Sequence, residues 1–290
     1  MLRKGSQGRV YYGTQTEQGT KGADISSPPP YYENFVTNRM ANVEAVYSAG
    51  SRNPVELQEG TFGVEWSIDH PKVQGGATPL TYFELAIPSG DPEELTWFTW
   101  GFSDVDNDWD LQDCKMDSLE FSWEAGETNW LTASASGFGG LVTTPGDSYA
   151  AQTYIDAPGL AVHEGVSTAY EMTGGRSAIS HNCEMRAVLL GPSGSRTQRE
   201  WDYMPEGNEV VEGEYTLLNT SGEDMNAAEI TSANETVYFT DKGGGGEVLS
   251  IEMTSVKPTN EEMTIPGADG DIEFSLPWLA TALALDSGYP

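Results

Sequence analysis

The chain has 290 residues, enough for one large domain or two ordinary ones, and its 10% aromatic content excludes an intrinsically disordered chain. Forty-five acidic residues face fourteen basic ones, six of them lysine, for a formal charge of −31. That balance excludes tight nucleic-acid binding, which rests on neutralising phosphates with Lys and Arg. The acids are dispersed, so they describe a solvated negative surface rather than an acidic tail. Such a surface repels itself at ordinary ionic strength. At molar salt the Debye length falls to about 3 Å, and the composition points to a halophilic source.

Residues 1–35 read as an extended arm. Ser27-Pro28-Pro29-Pro30 is stiff, and Tyr11-Tyr12 and Tyr31-Tyr32 are amphipathic anchors in polar surroundings. The start has basic residues but no apolar core of a signal peptide, so no Sec export is expected. No stretch has the length of a membrane span. From about 36 to 142 strand signals dominate. Phe62, Val64, Trp66 and Ile68 alternate with polar or small residues. Leu80–Ile87 is a second apolar run, closed by the turn cluster Pro88-Ser89-Gly90-Asp91-Pro92. Thr96–Phe102 is a third, strongly aromatic run. Asn38–Ser48 and Pro92–Phe98 are the short helix candidates.

An acidic loop, 104–113, leads into the stretch 114–141, which predicts a hairpin turning at Glu124-Ala125-Gly126-Glu127. Leu119, Phe121 and Trp123 share one face of its first arm; Ser118, Glu120, Ser122 and Glu124 share the other. The second arm is rich in small residues. Texture changes over 143–180, and turn clusters predict a connection near 145–175. Strands are expected to resume at Asn182, covering Cys183–Leu190, Glu209–Asn219, Thr236–Thr240, Glu247–Val256 and Asp271–Leu276. Gly222–Ser232 reads as a helix with acids in its first turn. Gly243–Gly246 is a flexible connection, and Leu276–Leu285 looks like a terminal docking segment. Cys114-Lys115-Met116 and Cys183-Glu184-Met185 echo one another, which makes a duplication of modules at 36–150 and 151–290 plausible.

Candidate chemistry is sparse. His70, His163 and His181 belong to no catalytic motif. Cys114 and Cys183 fit no metal spacing; buried thiols and a single disulfide both fit. A carboxylate pair cannot be singled out among so many acids. Asp104, Asp106, Asp108 and Asp110 alternate as hard-cation ligands do, but an EF-hand's glycine and distal glutamate are missing, since Trp109 and Lys115 stand there. A solvated loop is the ordinary reading and a structural cation the other. No enzymatic activity and no further cofactor is expected.

The order of these features resembles the major tail tube proteins of long-tailed, siphovirus-like viruses. The resemblance rests on the extended segment Tyr12–Thr20, the strand pair up to Ile68, and Cys114-Lys115-Met116-Asp117-Ser118-Leu119-Glu120-Phe121 running into a Gly turn. Glu247–Met253 followed by Gly270–Phe274 completes it. It implies a mainly β fold: β-sandwich or half-barrel modules with short flanking helices, assembling edge to edge into a ring. It also implies homotrimeric or homohexameric rings, stacked into a tube with other tail proteins and conducting DNA without specific binding, in a virion made in the host cytoplasm. The acidity points to a virus of haloarchaea. On this view the lumen and ring contacts fall on Glu120, Ser122, Glu124, Glu127, Thr128, Thr132 and Ser134. Exposed strand edges need partners, and a negative wall repels phosphates. The alternatives are a secreted or surface β-sandwich adhesin or carbohydrate-binding module, and another virion component such as a tail-tip or capsid-decoration protein.

Overall fold

Period-two alternation produces strands with one buried face, and such strands make up most of the molecule. A computed structural model describes residues 9–22, 25–40, 43–46, 56–59, 63–75, 77–90, 94–103, 107–124, 130–143, 149, 159–162, 172–185, 204–218, 233–241, 248–259, 262–264 and 273–287. The strands are β1 (Arg9–Thr14), β2 (Asn34–Met40), β3 (Val43–Val46), β4 (Glu56–Glu59), β5 (Gly63–His70), β6 (Phe98–Ser103), β7 (Asp108–Glu124), β8 (Thr132–Gly139) and β9 (Leu141–Thr143). They continue with β10 (Leu160–Val162), β11 (Met172–Ser180), β12 (Val210–Leu218), β13 (Ala233–Asp241), β14 (Val248–Pro258), β15 (Glu262–Thr264), β16 (Glu273–Ala280) and β17 (Ala282–Asp286). One α-helix, α1 (Ala77–Phe83), lies among the described residues.

All strands but the β3–β4 hairpin join one 15-stranded sheet with the order β10-β13-β14-β16-β12-β11-β7-β8-β5-β2. Two long strands fold this sheet over itself. The start of β7 pairs with β6 and β9, and the rest with β8 and β11. At the corner Asp113 has φ 55°, a left-handed conformation that Asp tolerates better than most residues. Its N–H donates to Gln15 Oε1 at 2.9 Å, and its carboxylate accepts from Gly19 N at 2.7 Å. In β14 the first part pairs with β13 and β17, and Lys257 and Pro258 pair with β16. Here the corner is Ser255, φ 54°, whose N–H donates to Asn234 Oδ1 at 3.0 Å.

The two layers enclose one apolar cluster. Trp66, Ile68, Leu119, Phe121, Ile179, Tyr215 and Trp278 come from one layer; Phe98, Trp100, Val237, Phe239 and Ile251 come from the other. Tyr82 and Phe83 of α1 cap it, with Phe83 edge-on to Phe121 at 5.1 Å.

The pairing pattern repeats along the chain. β1, β2, β5, β6, β7, β8 and β9 correspond to β10, β11, β12, β13, β14 with β15, β16 and β17. β1 pairs β6 as β10 pairs β13; β2 pairs β5 as β11 pairs β12; β5 pairs β8 as β12 pairs β16; and β9 pairs β7 as β17 pairs β14. The register agrees in detail. Lys115 opposes Phe138 as Lys257 opposes Leu279. Phe98 opposes Cys114 as Ala233 opposes Val256, each followed by a bulge at the same place. A second one-residue register shift follows Met116, and the register likewise differs by one between Pro258 and Glu262. β7 of the first set pairs with β11 of the second, so one sheet runs through both.

Several expectations need correction. Leu80–Ile87 is not a strand: α1 and a 3-10 turn, Glu84–Ala86, cover it. Tyr82, Phe83, Leu85 and Ala86 are all buried, a helical rather than alternating pattern. Pro79 is tolerated in the first turn, and Ile87 turns extended (φ −103°, ψ 118°) before Pro88. Asn38–Ser48 is strand at 38–40 and 43–46, not helix. The described part of Pro92–Phe98, residues 94–98, is not a helix either, since Glu94 bridges back to Ser89 and Phe98 opens β6. The connection placed up to 175 hides β11, and the strand expected at Cys183 is irregular over 182–185. The Cys-Met echo is therefore not the repeat; by register the counterpart of Cys114 is Val256. The supposed docking segment is β16 and β17, inside the sheet. Residues 9–14 of the arm are β1, paired along its length with β6. The turn residues 125–127, the helix expected at 222–232, Gly243–Gly246 and residues 186–190 lie outside the described residues.

Candidate functional site

The hairpin face singled out in the sequence is one part of a wider open face. Along β7, Leu119, Phe121 and Trp123 are buried, while Ser122 and Glu124 are exposed and Ser118 and Glu120 half-buried. Register extends this face sideways. Glu120 opposes Ser134 of β8 and Ala178 of β11; Ser122 opposes Thr132 and Arg176. Ser134 in turn opposes Asp69, and Ser136 opposes Ser67. On the other flank Arg176 opposes Glu214, and Ala178 opposes Glu212. Glu120, Ser122, Glu124, Thr132 and Ser134 are thus brought together, and Glu127 and Thr128 lie outside the described residues.

The face is acidic. Glu65, Asp69, Glu120, Glu124, Glu212 and Glu214 occupy its outward positions on β5, β7 and β12. Among the described outward positions of β2, β5, β8, β7, β11 and β12, Arg176 is the one basic residue. Arg176 reaches Glu120 at 3.3 Å and Glu214 at 3.8 Å. With these side chains 36–45% exposed, each contact contributes at most about 1 kcal/mol. The hydroxyls bind locally: Ser118 Oγ to Ser136 Oγ at 2.8 Å, and Thr132 Oγ1 donating to Ser122 O at 3.1 Å. Two shallow open grooves cross this face, one bounded by Asn38, Glu65 and Ser136, the other by Asp69, Glu120 and Thr132. Arg176, Glu212, Glu214, Glu65 and Asp69 were missed in the sequence as members of the site. The Glu65-Ser67-Asp69 alternation was visible there, but only strand register says which faces join.

The cation candidate is different in kind. Asp104 and Asp106 lie outside the described residues. Asp108 and Asp110 are in β7, and Asp110 is 1% exposed. Lys21 Nζ sits 2.5 Å from its carboxylate, and the Tyr149 hydroxyl donates to it. Tyr149 stacks on Tyr11, 5.5 Å between ring centres, over Gly101, where any Cβ would strike its ring. Asp110 thereby fastens residue 149 and the segment after β1 to the sheet. Among the described residues no group of three or more His, Cys, Asp or Glu side chains could hold a metal ion.

The other titratable groups are committed to packing. His70 Nδ1 donates to Tyr31 O at 3.1 Å, and the Tyr82 hydroxyl donates to Nε2 at 3.3 Å. Burial pushes the imidazole down to about 4. His181 Nε2 donates to Ala86 O at 2.8 Å, and His163 lies outside the described residues. Cys114 and Cys183 are free and buried, and burial raises both thiols far above the usual range, which leaves them unreactive. Lys115 pairs with Glu206 at 2.5 Å and lies over the Trp97 ring, holding residues 204–207 against β7. No described helix is long and apolar enough to cross a membrane. The chain matches no protein-family model and no curated protein.

Proposed function

We propose that the chain is a structural virion protein whose copies join edge to edge into rings, trimeric or hexameric, that stack into a tail tube conducting DNA. The observation that carries this reading is the open face: a broad, acidic, solvated sheet bounded by edge strands that lack outer partners among the described residues. Among the described residues β2 pairs only with β5, and Thr37 on it is exposed. Its counterpart by register on β11, Ser177, is 0% exposed, where β7 covers that edge. An unpaired edge of this kind is a template for another chain. Turned inward around a channel, the acidic face repels phosphates and lets DNA slide without adhering. The charge of −31 fits assembly in the molar salt of a halophilic host. The role needs no catalysis, no cofactor and no membrane.

Negative-stain microscopy of the purified chain in molar salt tests this. Rings or tubes with a central channel are expected; uniform monomers would remove the reading. The carbohydrate-binding alternative draws on the two grooves. Monomers that bind glycans would favour it. Rings that do not stack would favour a tail-tip or decoration role.

A further inference from the structure

The chain contains its own template for the contact between copies. Within one molecule the end of β7 pairs with β11: Ser122 opposes Arg176, Glu120 opposes Ala178, and Ser118 opposes Ser180. Each partner has a counterpart that is unpaired on the matching side among the described residues. The counterpart of the end of β7 is the end of β14 with β15. The counterpart of β11 is β2.

The register transfers residue by residue. Glu120 opposes Ser134 in β8 as Glu262 opposes Ser275 in β16, and Ser122 opposes Thr132 as Thr264 opposes Glu273. Thr264 therefore stands for Ser122, and Glu262 for Glu120. On the other side, Trp66 opposes Gly137 and Thr37; Gly213 opposes Trp278 and Ser177. Thr37 therefore stands for Ser177, and Val36 for Arg176.

We propose that β2 of one copy pairs antiparallel with β15 of the next, with Val36 opposite Thr264 and Asn38 opposite Glu262. The occupant of each open edge is a second copy of this chain. The contact is head-to-tail, so every copy gives β2 to one neighbour and receives β2 from the other; repetition makes a ring where it closes and a filament where it does not. The contact also differs in chemistry from its template. Val36 replaces the guanidinium of Arg176, which inside the chain bridges Glu120 and Glu214. No ion pair is needed at that position, so the junction between copies holds in salt that screens charge. This deepens the tube reading and depends on it only for closure into rings.

Disulfide trapping tests the register. The native thiols are free and buried, so they give a low background, and opposed positions in an antiparallel pair meet the Cα spacing a disulfide requires. Val36→Cys and Thr264→Cys proteins are mixed in molar salt and oxidised. A disulfide-linked dimer is expected from the mixture and not from either variant alone, and the double variant is expected to give a ladder of oligomers. Val36→Cys with Glu262→Cys, out of register, is expected to link less. Ser122→Cys with Arg176→Cys is expected to close within one chain, which reports folding and oxidation. If Val36→Cys links to itself, the contact is symmetric and the proposal fails. Rings under the microscope without the mixed dimer, where the internal control closes, overturn the register and leave the tube reading standing. A mixed dimer without rings keeps the head-to-tail contact and removes the tube. Neither rings nor mixed dimer overturns both.

Discussion

Three cross-strand pairs of tryptophan and glycine organise the layer beneath the open face: Trp66 with Gly137, Trp123 with Gly175, and Gly213 with Trp278. All three indoles are at most 5% exposed. Each lies across the glycine of the neighbouring strand, where a side chain would leave no room. The pair is exchanged between the two sets of strands, with tryptophan on β5 in one and on β16 in the other; joint volume is what the site retains. A Cβ on Gly213 would fall 2.2 Å from Trp278 and equally close to the Arg176 carbonyl. Gly213→Ala is expected to cost about 3 kcal/mol through overpacking, read as a lower denaturant midpoint at unchanged slope; an unchanged midpoint would contradict this packing. His70 sets a pH dependence. Its folded pKa is about 4 against 6.5 unperturbed, so its contribution is complete above pH 6.5, declines as the pH falls through that value, and is fully lost by about pH 4. Unfolding free energies at pH 7 and pH 5 are expected to differ by about 2 kcal/mol more in the wild type than in His70→Gln. Equal differences would show that this imidazole is not held neutral.

At the scale of elements, the strands that change layers matter most. β7 and β14 each pass through a left-handed residue, Asp113 or Ser255, and change partners there. Ser255 lacks the carboxylate contacts that hold Asp113, so its left-handed backbone is the more exposed to replacement. Ser255→Gly is expected to stabilise by up to about 1 kcal/mol, and Ser255→Val to destabilise by about 2 kcal/mol, since a branched Cβ is disfavoured there. Thermal melts of both variants check the sign; a stabilising valine would mean the corner is not fixed. Such corners also show what could be read in advance. The alternation through Trp66, Phe121 and Ile251 was legible because burial on one face imposes a period of two. The corners were not, since a single positive φ leaves no periodic trace. β11 was illegible for a related reason. Its Gly174-Gly175 pair reads as a turn, but here glycine makes room for a neighbouring tryptophan. Leu80–Ile87 was misread because a short apolar run fits a strand as well as a buried helix. The acidic outward set of β7 was legible; its continuation onto β5 and β12 depends on contacts distant in sequence.

For the whole molecule, charge placement connects architecture to the proposed role. The open face holds Glu65, Asp69, Glu120, Glu124, Glu212 and Glu214 against Arg176, and their contacts within the subunit are exposed and weak: Glu120 and Glu214 meet Arg176 at 3.3 and 3.8 Å, and Glu65 and Asp69 accept from Asn38 and Asn34 at 3.4 Å. Exposed carboxylates side by side on one sheet are mildly unfavourable to folding, so their value is sought outside the monomer, in what the face meets. If that partner is DNA in transit, the sign of the face matters more than any single residue. Reversing Glu65, Glu120 and Glu212 to Lys leaves the core untouched and is expected to turn a repelling wall into a binding one. Assembled wild-type protein is expected not to retain labelled duplex DNA at the lowest salt in which rings persist. The triple variant is expected to retain it, with an affinity that falls steeply with salt, by roughly a thousandfold between 50 and 200 mM where six or more phosphates are neutralised. Sedimentation of DNA with rings across a salt series reads both. If the triple variant assembles and still excludes DNA, the acidic face does not line the channel, and the face opposite must be reassigned to it.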